Sequence, residues 1–197
     1  MKITISPIVV LAICWLNCSN SSTDKPFVKK SFDTKYGTIV VHRAKANDNR
    51  SIIHEYTAVS LFKDEKHIFT NKKIELYPSC PIYGTWIIDK YIFIFYKGGS
   101  GGHASLARYK IDNSKILYDS GFELEKYPYF DYKQKLPDNY YPSHGWIEID
   151  NDILKYTYDL EFSGKDLNGP HSGGKNIVHY KYTGDGNFKI MSYKNKN

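Results

Sequence analysis

Cysteine is scarce. The chain has three in 197 residues, Cys14, Cys18 and Cys80, and two of them sit near the N-terminus, so no disulfide framework holds the remainder together. Cys80 stands between prolines in Tyr77-Pro78-Ser79-Cys80-Pro81. It lacks the basic neighbours that activate a thiol and reads as a small buried apolar residue rather than a nucleophile. Long apolar runs are also missing: after Leu16 no stretch approaches the roughly 20 residues of a membrane-spanning helix. No capped segment at helical spacing is present, which argues against a helical fold. Metal-ligand spacings are absent too. His171 and His179 are joined by no H-x-x-H pattern, and Asp150-Asn151-Asp152 lacks the glycine and closing glutamate of a calcium loop. No metal and no cofactor is expected.

What is present begins with a leader. A positive start, Met1-Lys2, precedes the apolar run Ile3–Leu16 and a polar exit, Asn17 to Thr23, the layout of a secretory signal. A cysteine closing the apolar run and followed by Ser19-Asn20-Ser21-Ser22-Thr23 resembles the lipobox of bacterial lipoproteins. Trp15 and Asn17 stand where that motif prefers leucine and a small residue. The resemblance covers only the leader and the residues just after it. It implies that Cys18 is diacylated, becomes the mature N-terminus and anchors the chain to the periplasmic or surface face of a bacterial membrane. Residues 1–17 are then the signal peptide, 18–32 a polar tether, and 33–197 a single domain.

The net charge is +6, from 27 Lys and Arg against 21 Asp and Glu. The lysines are interspersed with apolar residues rather than blocked together, the pattern of a solvated strand face. With an export leader in front, nucleic acid is not an expected partner.

From Tyr36 onward the signal has period two and is aromatic, with 18 tyrosines and 10 phenylalanines. Alternation is clean in Trp146-Ile147-Glu148-Ile149, in Leu154 to Phe162 and in Ile177 to Tyr182, which predicts strands with one buried and one wet face. Asp112-Asn113-Ser114, Asp150-Asn151-Asp152 and Gly184-Asp185-Gly186-Asn187 are hairpin turns by composition. The fold class is therefore all-β, an antiparallel sandwich or small barrel built from hairpins. A weak echo offers an alternative. Gly84-Thr85-Trp86 and Gly145-Trp146 each open a short strand, an Asp turn, a long strand and a glycine-bearing loop, as propeller-like or trefoil-like repeats do.

Two stretches are candidates for function. Tyr91 to Asp112 reads strand, glycine loop, strand, and its loop holds Gly98, Gly99, Ser100, Gly101, Gly102 and His103. Successive backbone N–H groups in such a run can form a nest for an anion, and a histidine adds a pH-dependent contact. The second stretch, Glu125 to His144, lacks strand pattern and is crowded with rings, including Tyr127, Tyr129, Tyr132, Tyr140 and Tyr141. Tyrosine offers rigid, half-polar contact area suited to a sugar or a protein surface. The reading is a binding module, of inhibitor or immunity type or directed at a glycan, with no catalytic residue.

The competing reading is a small serine hydrolase, because Gly98-Gly99-Ser100-Gly101-Gly102 satisfies G-x-S-x-G. That elbow needs a helix after the serine, whereas Ser105 to Ile111 reads as a strand. The same run resembles the serine stretch of chymotrypsin-like proteases, but Gly99 stands in place of their aspartate and no Ala-Ala-His-Cys segment occurs.

Overall fold

A computed structural model of the chain describes residues 21–27, 29–47, 53–71, 81–98, 103–124, 140–162 and 172–196. Their regular structure is entirely β. In chain order the strands are β1 (Ser21–Phe27), β2 (Lys29–Thr34), β3 (Gly37–Asn47), β4 (Ile53–Lys63), β5 (Lys66–Asn71), β6 (Ile82–Ile88) and β7 (Tyr91–Gly98). They continue as β8 (His103–Asp112), β9 (Lys115–Asp119), β10 (Tyr140–Asp150), β11 (Ile153–Phe162), β12 (Ser172–Tyr182) and β13 (Phe188–Lys196).

Every described pairing is antiparallel, and the strands form three sheets. The N-terminal sheet has the order β2-β3-β4-β5, the central sheet β1-β6-β7-β8-β9 and the C-terminal sheet β10-β11-β12-β13. The all-β expectation holds, but the small-barrel form does not: among the described residues no sheet closes on itself. Apolar faces are covered by stacking instead, the sandwich solution applied twice. The N-terminal and C-terminal sheets are consecutive up-and-down meanders, and the central one is the meander β6–β9 with β1 added at its β6 edge. The glycine-tryptophan echo falls on β6 and β10, which open two of them.

The central sheet is the middle layer, and its strand β7 shows why. Residues Tyr91 to Tyr96 are all buried, so alternation here separates two cores rather than a core from water. Ile92, Ile94 and Tyr96 pack toward the N-terminal sheet with Ile39, Val41, Val59 and Leu61. Tyr91, Phe93 and Phe95 pack toward the C-terminal sheet with Leu154, Tyr158, Leu160, Val178, Tyr180 and Phe188. The outer sheets keep the one-sided pattern. In β11, Leu154, Tyr156, Tyr158 and Leu160 are buried while Lys155, Thr157 and Asp159 lie between them on the wetter face.

Within the stretch 18–32, expected to be a polar tether, residues 21–27 and 29–32 belong to strands. β1 pairs with β6 through Ser21↔Thr85, Ser22↔Gly84 and Phe27↔Ile82, with an irregularity between, and β2 pairs with β3 from Lys29↔His42 to Thr34↔Gly37. Ser21-Ser22-Thr23-Asp24-Lys25-Pro26 has a composition that reads as linker. An edge strand tolerates it, because one side of its ladder is unpaired and a proline there can be accommodated.

Candidate functional site

The connections between strands are unequal. At one end of the stack they are short: two-residue turns at Lys35-Tyr36, Asp64-Glu65, Asp89-Lys90, Asn113-Ser114 and Asn151-Asp152, and the five residues Thr183–Asn187. At the other end they are residue 28 between β1 and β2, then 48–52, 72–81, 99–102, 120–139 and 163–171. Cross-sheet contacts show that the ends coincide from layer to layer. Tyr182 donates its hydroxyl to Asp89 Oδ2 at 3.0 Å at the turn end, and Lys97 Nζ lies 5.4 Å from the Trp146 ring at the loop end.

The turn end is built tightly. Asp64, Glu65, Asp89, Asn113, Ser114, Asn151 and Asp185 all have positive φ, as two-residue hairpin turns matching the strand twist require. Arg108 on β8 fastens this end across two sheets. Its guanidinium bonds Asp119 through Nε at 3.1 Å and through Nη2, donates to the Gly186 carbonyl at 2.6 Å and to Asn187 Oδ1 at 2.8 Å, and stacks over Phe122 at 4.5 Å. The hydrogen bonds and charge of Arg108 hold the Asp119 carboxyl below its usual pKa. Gly186, with φ of 75°, lies against Tyr91: a Cβ there would come within 2.6 Å of the ring. Between the N-terminal and central sheets this end also carries a polar cleft of about 610 Å³ lined by residues such as Asp33, Lys35, Tyr36, Lys63, Asp64 and Asn113.

The loop end is where both sequence-predicted stretches attach. Gly98 and His103 face each other as the last paired residues of the β7–β8 hairpin. β10 begins at Tyr140 and Tyr141, opposite Phe162 and Glu161. Gly99, Ser100, Gly101, Gly102, Tyr127, Tyr129, Tyr132 and the lipidation candidate Cys18 lie outside the described residues, as do Cys80 and His171. The fold thus brings the ends of the glycine loop and of the tyrosine-rich segment to one side of the molecule. Around Ser100 the described chain is a hairpin that leads into a strand, not the strand-turn-helix of a nucleophile elbow.

Residues that the sequence did not single out sit beside that hairpin. The β10–β11 register slips between Ser143 and Trp146, leaving His144 exposed at φ of 48°. Such bulges re-aim side chains and recur near functional sites. Gly145 is required for the close approach of β8, since a Cβ would lie 2.6 Å from that of Ala104, the neighbour of His103. Trp146 then meets Phe95 edge-on at 5.3 Å and Tyr83 at 5.7 Å, with Lys97 over the indole. An indole half open to water under a cation is a surface on which a sugar or a flat side chain can stack. The tryptophan-glycine pairing was the one available signal, and as a repeat mark it pointed to architecture rather than to a site.

Between the N-terminal and central sheets lies a second polar group. Tyr96 and Tyr109 are 3% and 0% exposed, and their hydroxyls approach each other, near Thr57, without a hydrogen bond of good geometry. Burial pushes the Tyr96 phenol up to about 12, and that of Tyr109 upward as well. His42 is pushed downward by burial and by Lys29 opposite it. Among the described residues no three His, Cys, Asp or Glu side chains group closely enough to hold a metal ion, and no helix is long and apolar enough to cross a membrane.

No protein-family model matches the chain, and no curated protein matches it significantly.

Proposed function

We propose that the protein is an exported, lipid-anchored component of the bacterial envelope that works as a binding module, engaging a protein or glycan ligand with the loop end of its sheet stack. The observation that carries this reading is the inequality of the two ends. At the turn end all six connections run two to five residues and five of them pass through left-handed residues, whereas at the loop end 72–81, 120–139 and 163–171 are each longer than any of these. Scaffolds that bind commonly hold variable loops on a rigid sheet framework in this way. The glycine run, the tyrosine-rich segment and the Trp146-Lys97 pair all belong to that end. Export and anchoring rest on the leader and on Cys18.

The test is a comparison of matched variants. Replacing residues 99–102 by Asn-Gly should abolish retention on a glycan array or on immobilised envelope proteins, while changing Asn113-Ser114 to Asn-Gly should leave it intact. The opposite pattern would place binding at the turn end and refute the proposal. A fluorophosphonate probe addresses hydrolysis directly: stoichiometric labelling lost in Ser100→Ala would overturn the binding-only reading. Cys18→Ser should release the protein from membranes.

A further inference from the structure

The outer face of the C-terminal sheet carries its charge unevenly. β12 and β13 hold five lysines and no carboxylate: Lys175, Lys181, Lys189, Lys194 and Lys196. Their register puts all five on one face, because Val178 and Tyr180 alternate with them and are buried against the central sheet. Lys175 stands opposite Lys196, Lys181 opposite Lys189, and Lys194 opposite Ile177. Neighbouring strands lie about 4.8 Å apart, and like charges directly opposite each other work against the pairing. Carboxylates relieve little of this. Lys181 bonds Asp152, and Asp159 of β11 faces Lys175 without an ion pair. Among the described residues Lys175, Lys189, Lys194 and Lys196 make no ion pair, and all four are exposed. Protection of a free edge accounts for lysines on β13, but Lys175 and Lys181 lie on the inner strand β12.

Apolar groups lie among these cations. Met191, at the bulge where β13 slips against β12, is 57% exposed, and Ile177 is half-buried on the lysine face. The strip from residue 175 to 181 is about 20 Å long at 3.3 Å per residue. A flat strip of cations with apolar side chains between them fits a bilayer surface. Lysines reach the phosphates, and methionine and isoleucine reach the boundary of headgroups and acyl chains. A linear anionic polymer would use the cations alone. We infer that the outer face of β12 and β13 rests on an anionic lipid surface. The inference does not depend on acylation of Cys18. Salt disperses a contact of this kind, so it orients the molecule rather than anchoring it. The N-terminal sheet is then the layer farthest from the lipid, and the loop end stays open along the membrane plane.

The experiment uses the protein purified from cells that express the full chain. It is mixed at low salt with vesicles of phosphatidylcholine, alone or with phosphatidylglycerol, and its lysines are acetylated and read by mass spectrometry. With phosphatidylglycerol present, Lys175, Lys189, Lys194 and Lys196 should be modified several-fold more slowly than on phosphatidylcholine alone. Lys29, Lys35, Lys63 and Lys66, exposed on the N-terminal sheet and its turns, should not change. Replacing the first four by glutamine should lower phosphatidylglycerol-dependent binding on the order of a hundredfold, at about fivefold per lysine. Replacing the second four removes the same charge and should lower it only a few-fold. Equal protection of both sets, or equal loss in both variants, would mean that net charge rather than this face meets the lipid. Protection of neither set, with retention on heparin lost in the first variant alone, would give the face to an anionic polymer. Either result overturns the inference.

Discussion

The turn end and the loop end of the stack are made from the same strands, yet their chemistry differs. At the turn end short connections accept left-handed backbone, carboxylates and amides bond locally, and Arg108 ties the central sheet to the C-terminal hairpin. At the loop end β10 bulges at His144 and Gly145, and an indole lies beneath Lys97. One end is organised to hold layers together; the other is the end to which the proposed function assigns binding. Substitutions should separate the two, costing stability at the first and binding at the second.

The largest expected loss comes from Arg108→Ala. It would strand the Asp119 carboxylate and two acceptors of the β12–β13 turn, lowering stability by about 3 kcal/mol, readable as a fall in the urea midpoint. The same variant should lose part of the acid sensitivity. The native pKa of Asp119 is held below its unfolded value of about 3.9. Its contribution is therefore complete above that pH and lost as the pH falls through the native value. A titration of stability between neutral and acid pH should be flatter without Arg108.

Gly186→Ala follows, at about 2 kcal/mol, because positive φ and contact with the buried Tyr91 ring act together. Gly184→Ala in the same turn sharpens the contrast. Its φ of 84° is equally left-handed, but nothing lies within 4 Å of the added carbon, so about 1 kcal/mol is expected. Equal costs would mean that the packing against Tyr91 contributes nothing.

Smaller again is the effect of Tyr96→Phe at neutral pH, within about 0.5 kcal/mol, since the hydroxyl makes no hydrogen bond of good geometry. Alkali should expose it. The native phenol is raised to about 12 and the unfolded one titrates near 10. The wild type therefore loses stability as the pH rises from about 10 to 12, and Tyr96→Phe should lose less. Smallest of all for the fold is the replacement of 99–102 by Asn-Gly. It should leave the urea midpoint nearly unchanged while removing the ligand, because Gly98 and His103 already close the ladder.

The strands were legible from period two: β11 spans the Leu154 to Phe162 alternation with one residue added, and the turns at Asn113, Asn151 and Gly184 to Asn187 fall as composition predicts. Other boundaries moved outward. β10 begins at Tyr140 rather than Trp146 and β12 at Ser172 rather than Ile177, because hydrogen bonding continues past the apolar pattern that marks a strand. β1 was illegible for a related reason, since an edge strand with serine, aspartate and proline shows no apolar face. The number of layers was not read either, although Tyr91 to Tyr96 carried the information: a run without a polar position needs a cover on both sides. At the candidate site the glycine and tyrosine segments stood out by composition. Lys97 and His144 did not, because a cation over an indole arises only when β10 packs on β7, and a bulge only when β10 pairs with β11.

That doubly covered strand has a consequence for biogenesis. Tyr-Ile-Phe-Ile-Phe-Tyr is a hexapeptide of high β propensity and no charge, the composition of a steric-zipper segment, bracketed by Lys90 and Lys97 as charged gatekeepers. One of its faces has no cover until residues 140–196 have been synthesised and folded. A chain stopped at Asp119 would leave the Phe93 and Phe95 side bare and should collect in inclusion bodies. The chain depends on β10–β13, synthesised after β7, to keep its innermost strand from self-association.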